Sequence, residues 1–206
     1  DADTGYGNVN NVVRAVRDFE QAGVAAIHIE DQATPKRCGA MEGLKLIPAE
    51  ECAEKIRAAV NTRRDPNFLI IARTDARAVH GLSEAIRRVQ MFEAAGADLV
   101  FAEMLESLDE IRSVVSSVKV PVLQDTLETS ADVVFSHQQL EAVGVKISIH
   151  SMLSVLTHAN SMATLMKRLH SERTSKGLMN GMMDLHRYEE ILGINEQAEL
   201  QETYGT

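Results

Sequence analysis

The sequence predicts an α/β fold in which helices alternate with the strands of a parallel sheet, and three observations support this. A helix end, a glycine and a short apolar run follow one another three times, at Gly23, Gly96 and Gly144. Glycine ends a helix at low cost because it accepts a positive φ angle. The runs are short and rich in β-branched residues, as buried parallel strands are. Stretches with the helical period fill the intervals between the runs.

Each element follows from a local pattern. The strands are predicted within 24–30, 68–75, 97–103, 120–125 and 145–150. Two helices are indicated by apolar stripes, at Val9, Val12, Val13, Val16 and Phe19 and at Ile86, Val89, Phe92 and Ala95. Pro48, followed by acidic residues, predicts the start of another helix. Beyond the strands we expect a Met-rich helix at 152–169, a loop at 171–181 and one or two helices at 184–204.

Polar residues stand at the C-terminal ends of the predicted strands. They are Asp1, Asp3, Glu30, Asp31, Arg73, Asp75, Glu103 and Asp125. In a (β/α)8 TIM-type barrel this rim carries the active site, and no G-x-G-x-x-G motif indicates a Rossmann-type sheet. Five strands and the segment at Asp1 are fewer than eight, and such a barrel usually has ~250 residues. We therefore expect one partial barrel domain over 1–206 whose N-terminal strands are missing.

The composition argues against several classes of function. The 206 residues include 21 basic and 30 acidic side chains, a net charge of −9, whereas nucleic-acid-binding surfaces are usually basic. No apolar run approaches the ~20 residues of a membrane helix, and no signal peptide is recognisable. Two cysteines are too few for a disulfide framework and fit a reducing compartment. We expect a cytoplasmic protein with neither nucleic-acid nor membrane partners.

Asp1, Asp3 and Glu30 are the candidate metal ligands. Carboxylates are the ligands that a hard cation such as Mg²⁺ prefers, together with water and substrate oxygens. Asp1 and Asp3 lie two residues apart, so in an extended strand end their side chains share a face. The same residues would also serve as turn and helix-capping acids, and the residues alone leave both interpretations open.

Cys38 and Arg73 are the candidate reactive and anion-binding groups. Lys36 and Arg37 precede Cys38, and cations beside a thiol favour the thiolate, which can act as a proton donor once protonated or as a nucleophile. An incidental loop cysteine is the alternative. Arg73 ends a strand, where arginine either pairs with a structural carboxylate or binds a substrate carboxylate. Three further residues are interpreted as packing residues: Cys52, His28 and His150.

Together these residues resemble the isocitrate lyase and phosphoenolpyruvate mutase superfamily. The matching stretches agree in order and spacing over nearly the whole chain: Asp1-Ala2-Asp3-Thr4-Gly5-Tyr6-Gly7, Ile29-Glu30-Asp31-Gln32, Pro35-Lys36-Arg37-Cys38-Gly39, Ala72-Arg73-Thr74-Asp75 and Ala102-Glu103. The Lys-Arg-Cys-Gly loop is similar to the lyase branch. Two further segments, 41–43 and 189–193, are most similar to bacterial members that cleave 2-methylisocitrate, dimethylmalate or oxaloacetate.

The resemblance implies a role for each site residue. Asp1, Asp3 and Glu30 would bind Mg²⁺, or Mn²⁺ in its place. Arg73 would bind the substrate carboxylate and a developing oxyanion, and Gly39 and Asp125 would also contact the substrate. Cys38, on a mobile loop, would protonate the product. Lys36 and Arg37 would hold the loop and the anion. Glu103 would assist a base.

The resemblance also implies an activity and an assembly. The activity is Mg²⁺-dependent cleavage of a carbon–carbon bond in a 2-hydroxy-dicarboxylate, which yields pyruvate or glyoxylate and a second carboxylic acid. The assembly is a homotetramer that exchanges its C-terminal helices, here 152–206. The alternatives are an oxaloacetate hydrolase, a phosphonate-type mutase and a catalytically impaired homologue. The last is suggested by Ala40 and Asp125, where the family usually has His and Asn, and by the missing N-terminal strands. A further departure is His150-Ser151, where the family often has Tyr-Pro.

Overall fold

The computed structural model describes residues 1–128 and 130–205. Residues 1–154 form one compact unit around a sheet of five parallel strands. The strands are β1 (Ala26–Glu30), β2 (Leu69–Thr74), β3 (Leu99–Ala102), β4 (Val122–Asp125) and β5 (Ile147–Ile149). The five predicted strands are therefore confirmed, with shorter bounds than the apolar runs suggested.

Helices connect the strands of this unit. They are α1 (Val9–Gln21), α2 (Ala49–Thr62), α3 (Ala76–His80), α4 (Leu82–Ala94), α5 (Leu108–Ser117) and α6 (His137–Ala142), with a 3-10 turn at Ala131–Val133. Asn8 caps α1, since its side chain accepts a hydrogen bond from the backbone N–H of Asn10 at 2.9 Å. The Asn-rich start predicted to cap a helix does so.

The strands lie in the order β1-β2-β3-β4-β5, so neighbours in sequence are neighbours in space throughout. A doubly wound sheet reverses its strand order at a switch point, and no such reversal occurs among these five. Right-handed crossovers in one direction place the helices on one face, as in a barrel. The described residues do not close into eight strands, so the complete barrel and its additional N-terminal strands remain a prediction.

The two faces of the sheet have different roles. One face packs against the helices and forms the main apolar core, which includes Ile27, Ile29, Ile70, Ala72, Val100 and Ala102 with Val12, Ile56, Val89, Phe92 and Ile111. The opposite face, here called the inner face, carries the small cluster of Ile71, Leu99, Phe101 and Leu123. Because side chains alternate along a strand, the inner face also receives Glu30, Arg73 and Asp125.

The second compact unit starts at Val155. It contains most of α7 (Leu153–Glu172), a 3-10 helix (Lys176–Gly181), α8 (Leu185–Leu192) and α9 (Ile194–Tyr204). The prediction of a loop at 171–181 is thus wrong for the second half of that range, which forms the 3-10 helix. The predictions of a Met-rich helix and of two terminal helices are confirmed. Among the described residues of the chain, no helix combines the length and the apolar character needed to cross a membrane.

Candidate active site

Charged side chains from the C-terminal ends of neighbouring strands meet on the inner face. Glu30 ends β1 and pairs in register with Arg73 of β2, which in turn pairs with Phe101 of β3. Glu103 follows β3, and its backbone N–H donates to the carbonyl of Thr74 at 2.9 Å, which continues the ladder by one residue. The structure therefore brings together Glu30, Arg73 and Glu103 from the predicted rim. Asp31 does not join them, because its Oδ2 accepts a hydrogen bond from Arg88 Nη1 at 2.8 Å.

Arg73 is the centre of this group. Its Nη2 and Nε lie 2.9 and 3.1 Å from Asp75 Oδ1, its Nε lies 3.5 Å from Glu30 Oε2, and its Nη1 lies 3.6 Å from Glu103 Oε2. The guanidinium carbon stands 5.0 Å from the centre of the Phe101 ring, within cation–π range. Burial opposes the charge, but these carboxylates raise the pKa of Arg73 above its ordinary value.

Glu103 is the carboxylate best suited to proton transfer. Its side chain is only 3% exposed. Burial raises the pKa of Glu103 to about 7, with the charges of Asp125 and Asp75 adding to the effect and Arg73 opposing it. Glu103 Oε2 is one of the buried side-chain atoms without a hydrogen-bond partner among the described residues. A carboxyl group with a pKa near neutrality can accept or donate a proton at physiological pH.

Asp125 is held by Ser151, the residue that stands where the family often has proline. Ser151 Oγ donates to Asp125 Oδ2 at 2.8 Å. Burial raises the pKa of Asp125, and the hydrogen bonds from Ser151 oppose that effect. The two departures from the family pattern at Asp125 and Ser151 are therefore in contact with each other.

His150 makes polar contacts in the structure, so its interpretation as a packing residue is wrong. Its Nδ1 lies 2.8 Å from Glu128 Oε1, and its Nε2 lies 3.0 Å from Nε2 of His137. The side chain of His150 is 34% exposed. The apolar run before His150 forms β5, but His150 follows that strand instead of lying within it. The run therefore did not indicate that the histidine is buried.

Asp1, Asp3 and Glu30 form a second group, here called the acidic corner. The backbone N–H of Ala2 donates to the His28 carbonyl at 3.0 Å, and the N–H of Glu30 donates to the Asp3 carbonyl at 2.9 Å, so the segment lies beside β1. Asp3 has a φ of +49°. The two aspartates therefore approach each other through a turn. The prediction that they share one face of an extended strand end is wrong.

Lys36 lies in the acidic corner. Its Nζ is 2.9 Å from Asp3 Oδ1, 3.2 Å from Asp1 Oδ2 and 3.4 Å from Glu30 Oε2. Burial opposes the charge, but the carboxylates of Asp3 and Glu30 raise the pKa of Lys36 above its ordinary value. The three predicted metal ligands are thus close enough to share one cation, and Lys36 contacts all three.

His28 also lies at the acidic corner, and the sequence interpretation did not place it there. It precedes Glu30 by two residues on β1 and therefore shares the inner face. Its Nε2 lies 3.1 Å from Asp1 Oδ1, although this buried nitrogen makes no hydrogen bond among the described residues. Burial, followed by nearby positive charges that include Arg73 and Lys36, lowers the pKa of His28 to about 4. The imidazole is therefore neutral at pH 7, the form that binds metals.

The donor set of the acidic corner fits a divalent cation. One ligand atom each from Asp1, His28 and Glu30 lies within 4.8 Å of the others. Glu30 Oε1 and His28 Nε2 are buried and lack hydrogen-bond partners among the described residues, and buried polar atoms normally have one. Carboxylate oxygens suit Mg²⁺, and Mn²⁺ prefers the same ligands.

The stretch from Thr34 to Gly43, here called the site loop, covers the Arg73 group. Gln32 holds its backbone, because Gln32 Nε2 donates to the Arg37 carbonyl and the Arg37 N–H donates to Gln32 Oε1, both at 2.9 Å. Gln32 Nε2 also donates to Asp75 Oδ2 at 2.6 Å. This link between the loop and the partner of Arg73 has no signature in sequence beyond the position of Gln32 after β1.

Gly39 is a buried residue of this loop. A Cβ atom at Gly39 would lie 2.8 Å from Glu103 Cγ and 2.9 Å from Arg73 Nη2, so only glycine permits the observed approach. Nη1 of Arg37 donates to the Glu42 carbonyl at 3.3 Å, which is also part of the site loop. Cys38 is exposed, and its role as a proton donor remains a prediction.

Cys52 is the second thiol of the chain. It is fully buried in the main core, and burial raises the pKa of its thiol. Its interpretation as a packing residue is confirmed.

Comparisons with known proteins agree with this geometry. The model of the phosphoenolpyruvate phosphomutase family matches residues 1–170. The chain is 37% identical to the 2,3-dimethylmalate lyase of Eubacterium barkeri, over 100% of the chain and 71% of that enzyme. It is 38% identical to the 2-methylisocitrate lyase of Aeropyrum pernix, over 95% of the chain and 63% of that enzyme. The chain thus spans about two thirds of the length of these relatives.

Solved structures give the same result. A crystal structure of 2,3-dimethylmalate lyase, a member of the PEP mutase/isocitrate lyase superfamily, superimposes with a TM-score of 0.90 at 30% identity, over 99% of this chain and 68% of that one. A phosphonopyruvate hydrolase in complex with oxalate and Mg²⁺ has a TM-score of 0.85 at 28% identity, over 98% and 70%. The extent of these matches and the family model establish that the chain belongs to the phosphoenolpyruvate mutase/isocitrate lyase superfamily of enzymes.

Proposed function

We propose that this chain carries the principal site of a Mg²⁺-dependent carbon–carbon lyase. The substrate would be a 2-hydroxy-dicarboxylate or tricarboxylate of the dimethylmalate or methylisocitrate type, cleaved to pyruvate or glyoxylate and a second carboxylic acid. One observation carries the proposal: Glu30 is shared between an acidic corner suited to a cation and the guanidinium of Arg73, which lies 3.5 Å away. The names of two relatives, a dimethylmalate lyase and a methylisocitrate lyase, support this substrate class.

Asp1, Asp3 and Glu30 would hold the cation, and His28 would join them. A bound Mg²⁺ would supply Lewis-acid stabilisation of negative charge on substrate oxygens. The similar phosphonopyruvate hydrolase, whose structure contains oxalate and Mg²⁺, supports both the ion and a carboxylate ligand. Mn²⁺ is the alternative ion.

Arg73 would bind a substrate carboxylate and stabilise the oxyanion that develops when the bond breaks. Its position on a strand and its contact with Phe101 hold the guanidinium in place. Glu103, with a pKa of about 7, would accept the proton of the substrate hydroxyl at Oε2. Asp125, oriented by Ser151, would contact the far end of the substrate.

Cys38 would return a proton to the carbanion that cleavage leaves on the second product. It lies on the site loop next to Gly39, which approaches Glu103 and Arg73 closely. Lys36 and Arg37 would hold the loop over the substrate anion. A closed loop would also exclude water from the carbanion, which limits its protonation by solvent.

Keto-acid release by the natural protein tests this proposal. With Mg²⁺ we expect pyruvate or glyoxylate from 2,3-dimethylmalate, 2-methylisocitrate or a related 2-hydroxy-dicarboxylate. Acetate released from oxaloacetate would indicate a hydrolase instead, and rearrangement of phosphonopyruvate would indicate a mutase. The lyase proposal is wrong if no 2-hydroxy-dicarboxylate is cleaved, and failure of every substrate would favour an impaired homologue.

Cys38→Ala gives a sharper test of the proton donor. Loss of a general acid lowers rates by about 10²–10⁴-fold, and we expect kcat to fall by about that factor with Mg²⁺ affinity unchanged. Cys52→Ala is the matched control, because it removes the buried thiol and should leave the rate per folded molecule unchanged. Equal rates for Cys38→Ala and wild type would exclude the proposed role.

We also propose that the C-terminal helices pack against another copy of the chain in a homotetramer. Large apolar side chains of the second unit are at least half exposed: Val155, Met179, Met182, Met183, Leu185, Tyr188, Ile191, Leu200 and Tyr204. Exposed apolar side chains in this number support an interface. Sedimentation equilibrium should give four subunits, and a monomer would contradict the proposal.

We further propose that the protein acts on a small carboxylate substrate and that it is located in the cytoplasm.

A further inference from the structure

We infer that Lys36 acts as an internal cation of the acidic corner, and that its ammonium group and a divalent metal ion compete for the carboxylates of Asp1, Asp3 and Glu30. This inference rests on the proposed metal site. It adds a role to Lys36, which so far was expected only to hold the site loop and the substrate anion.

The contacts of Lys36 carry the argument. A lysine ammonium has three N–H donors, and here three different carboxylates surround it, with oxygens at 2.9, 3.2 and 3.4 Å from Nζ. Glu30 is fully buried and the Lys36 side chain is 25% exposed. The ammonium therefore contacts one oxygen of each of the three carboxylates that are the proposed metal ligands, whereas Glu30 Oε1 has no hydrogen-bond partner among the described residues.

The same carboxylates cannot serve both cations at once. Three negative charges confined to one corner need compensation, and Lys36 supplies one positive charge. A divalent ion bound to the same carboxylates would lie close to Nζ, and like charges repel strongly in a partly buried site. Lys36 Nζ must therefore leave before Asp1, Asp3 and Glu30 bind such an ion.

The backbone next to Lys36 can remain in place during this exchange. Gln32 binds both the N–H and the carbonyl of Arg37, so the loop has an anchor that does not depend on the ammonium. The four-carbon stem of lysine is flexible, and rotation of that stem is sufficient to withdraw Nζ. The loop would thus stay near the site with a free ammonium group.

This exchange predicts an order of binding. Before it, the Lys36 ammonium is occupied by protein carboxylates. After it, the ammonium is available to a carboxylate of the substrate. The metal ion should therefore bind first and the substrate anion second.

Mn²⁺ binding to the natural protein tests the competition without any measurement of activity. We expect Lys36→Met to bind Mn²⁺ about tenfold more tightly than wild type, as measured by calorimetry and by the electron paramagnetic resonance of free Mn²⁺, because the competing ion pairs are gone. Lys45→Met is the matched control. It removes the same charge from an exposed position in the stretch after β1 and should change the affinity by less than about twofold.

The outcomes separate the inference from the proposed function. If neither wild type nor Lys36→Met binds Mn²⁺, the proposed metal site is wrong. If both bind it equally well, the metal site stands and the competition is wrong. If Lys45→Met binds as tightly as Lys36→Met, the effect is one of overall charge and the specific contact is again wrong.

Amine labelling of the wild-type protein keeps the inference testable even if Lys36→Met does not fold. Reductive methylation, followed by mass spectrometry, reports the reactivity of each lysine. Saturating Mg²⁺ should increase the labelling rate of Lys36 severalfold and leave that of Lys45 unchanged. An unchanged rate at Lys36 would overturn the inference.

Discussion

Lys36 and Arg73 are two cations that share one carboxylate, Glu30, but are held in different ways. Arg73 projects from β2, its side chain is 12% exposed, and Asp75 and Phe101 fix its orientation. Lys36 projects from the site loop and is 25% exposed. A planar guanidinium with several fixed partners is a permanent charge, whereas an ammonium on a flexible stem is exchangeable.

This difference separates two functions that both need positive charge. Anion binding benefits from a charge that is already oriented before the substrate arrives, since no reorganisation is then needed during the reaction. Metal binding needs carboxylates that are free when the ion arrives, and a second cation that neutralises their negative charge when no ion is bound. In the proposed function, the strand would supply the first kind of charge and the loop the second.

The largest effect is expected from removal of the fixed cation by Arg73→Met. Three buried carboxylates would lose their partner, and breaking buried ion pairs typically costs about 3–5 kcal/mol. The variant should also lose about 10³-fold in kcat/KM through the missing oxyanion contact. Urea unfolding at pH 7 and initial rates measure the two quantities.

Arg57→Met is the control for Arg73→Met. Arg57 forms an exposed pair with Glu54, and such pairs contribute less than about 1 kcal/mol. If the two variants had equal free energies of unfolding, Arg73 would not be the fixed cation described above.

A smaller effect should follow from Gly39→Ala, which leaves both cations present but displaces the loop that carries Lys36. The new Cβ would lie within 3 Å of Glu103 and Arg73 atoms, so the loop must move outward. A displacement of about 1 Å can cost about 10²-fold in rate, while the free energy of unfolding should change by less than about 1 kcal/mol.

The control for this variant is Gly181→Ala, because a Cβ at Gly181 would meet no atom within 4 Å. Its rate should equal that of wild type. Full activity of Gly39→Ala would mean that the observed approach of the loop is not needed for turnover.

The smallest effect is expected from Glu103→Gln, which changes a carboxylate partner of Arg73. The carboxyl pKa rises on folding from 4.5 to about 7, so the folded state binds the proton more tightly than the unfolded state. The contribution of Glu103 to stability is therefore most favourable below pH 4.5, decreases as the pH rises towards 7, and is constant above that. The glutamine variant lacks this loss.

Urea unfolding from pH 4 to 8 measures the difference between Glu103→Gln and wild type. It should grow in favour of the variant across this range by about 1–3 kcal/mol, since one pKa unit corresponds to ~1.4 kcal/mol. The exposed Glu141→Gln is the control. A difference that does not depend on pH would show that Arg73 keeps Glu103 ionised throughout.

Local patterns were sufficient for much of the fold. Gly23, Gly96 and Gly144 all have positive φ angles, as the predicted helix ends require. The strands that follow them are the predicted ones. These predictions succeed because a helix end and a buried strand each depend on a few consecutive residues.

Other features could not be predicted because they depend on contacts between distant segments. His28 was interpreted as a packing residue, although its alternation with Glu30 indicated a shared face once β1 was known. The link from Gln32 through Asp75 to Arg73 spans 43 positions in the chain. The 3-10 helix at Lys176–Gly181 was missed because glycine and polar residues also suit loops.

The sequence by itself determined the α/β class, the polar rim at the strand ends and the family to which its motifs belong. These features rest on periodicity and on residue type, which do not change with the fold around them. Only the tertiary structure decided that Lys36 lies among Asp1, Asp3 and Glu30 and that Gly39 approaches Arg73. Both depend on the path of the site loop across the sheet, and that path is set by contacts such as those of Gln32 with Arg37.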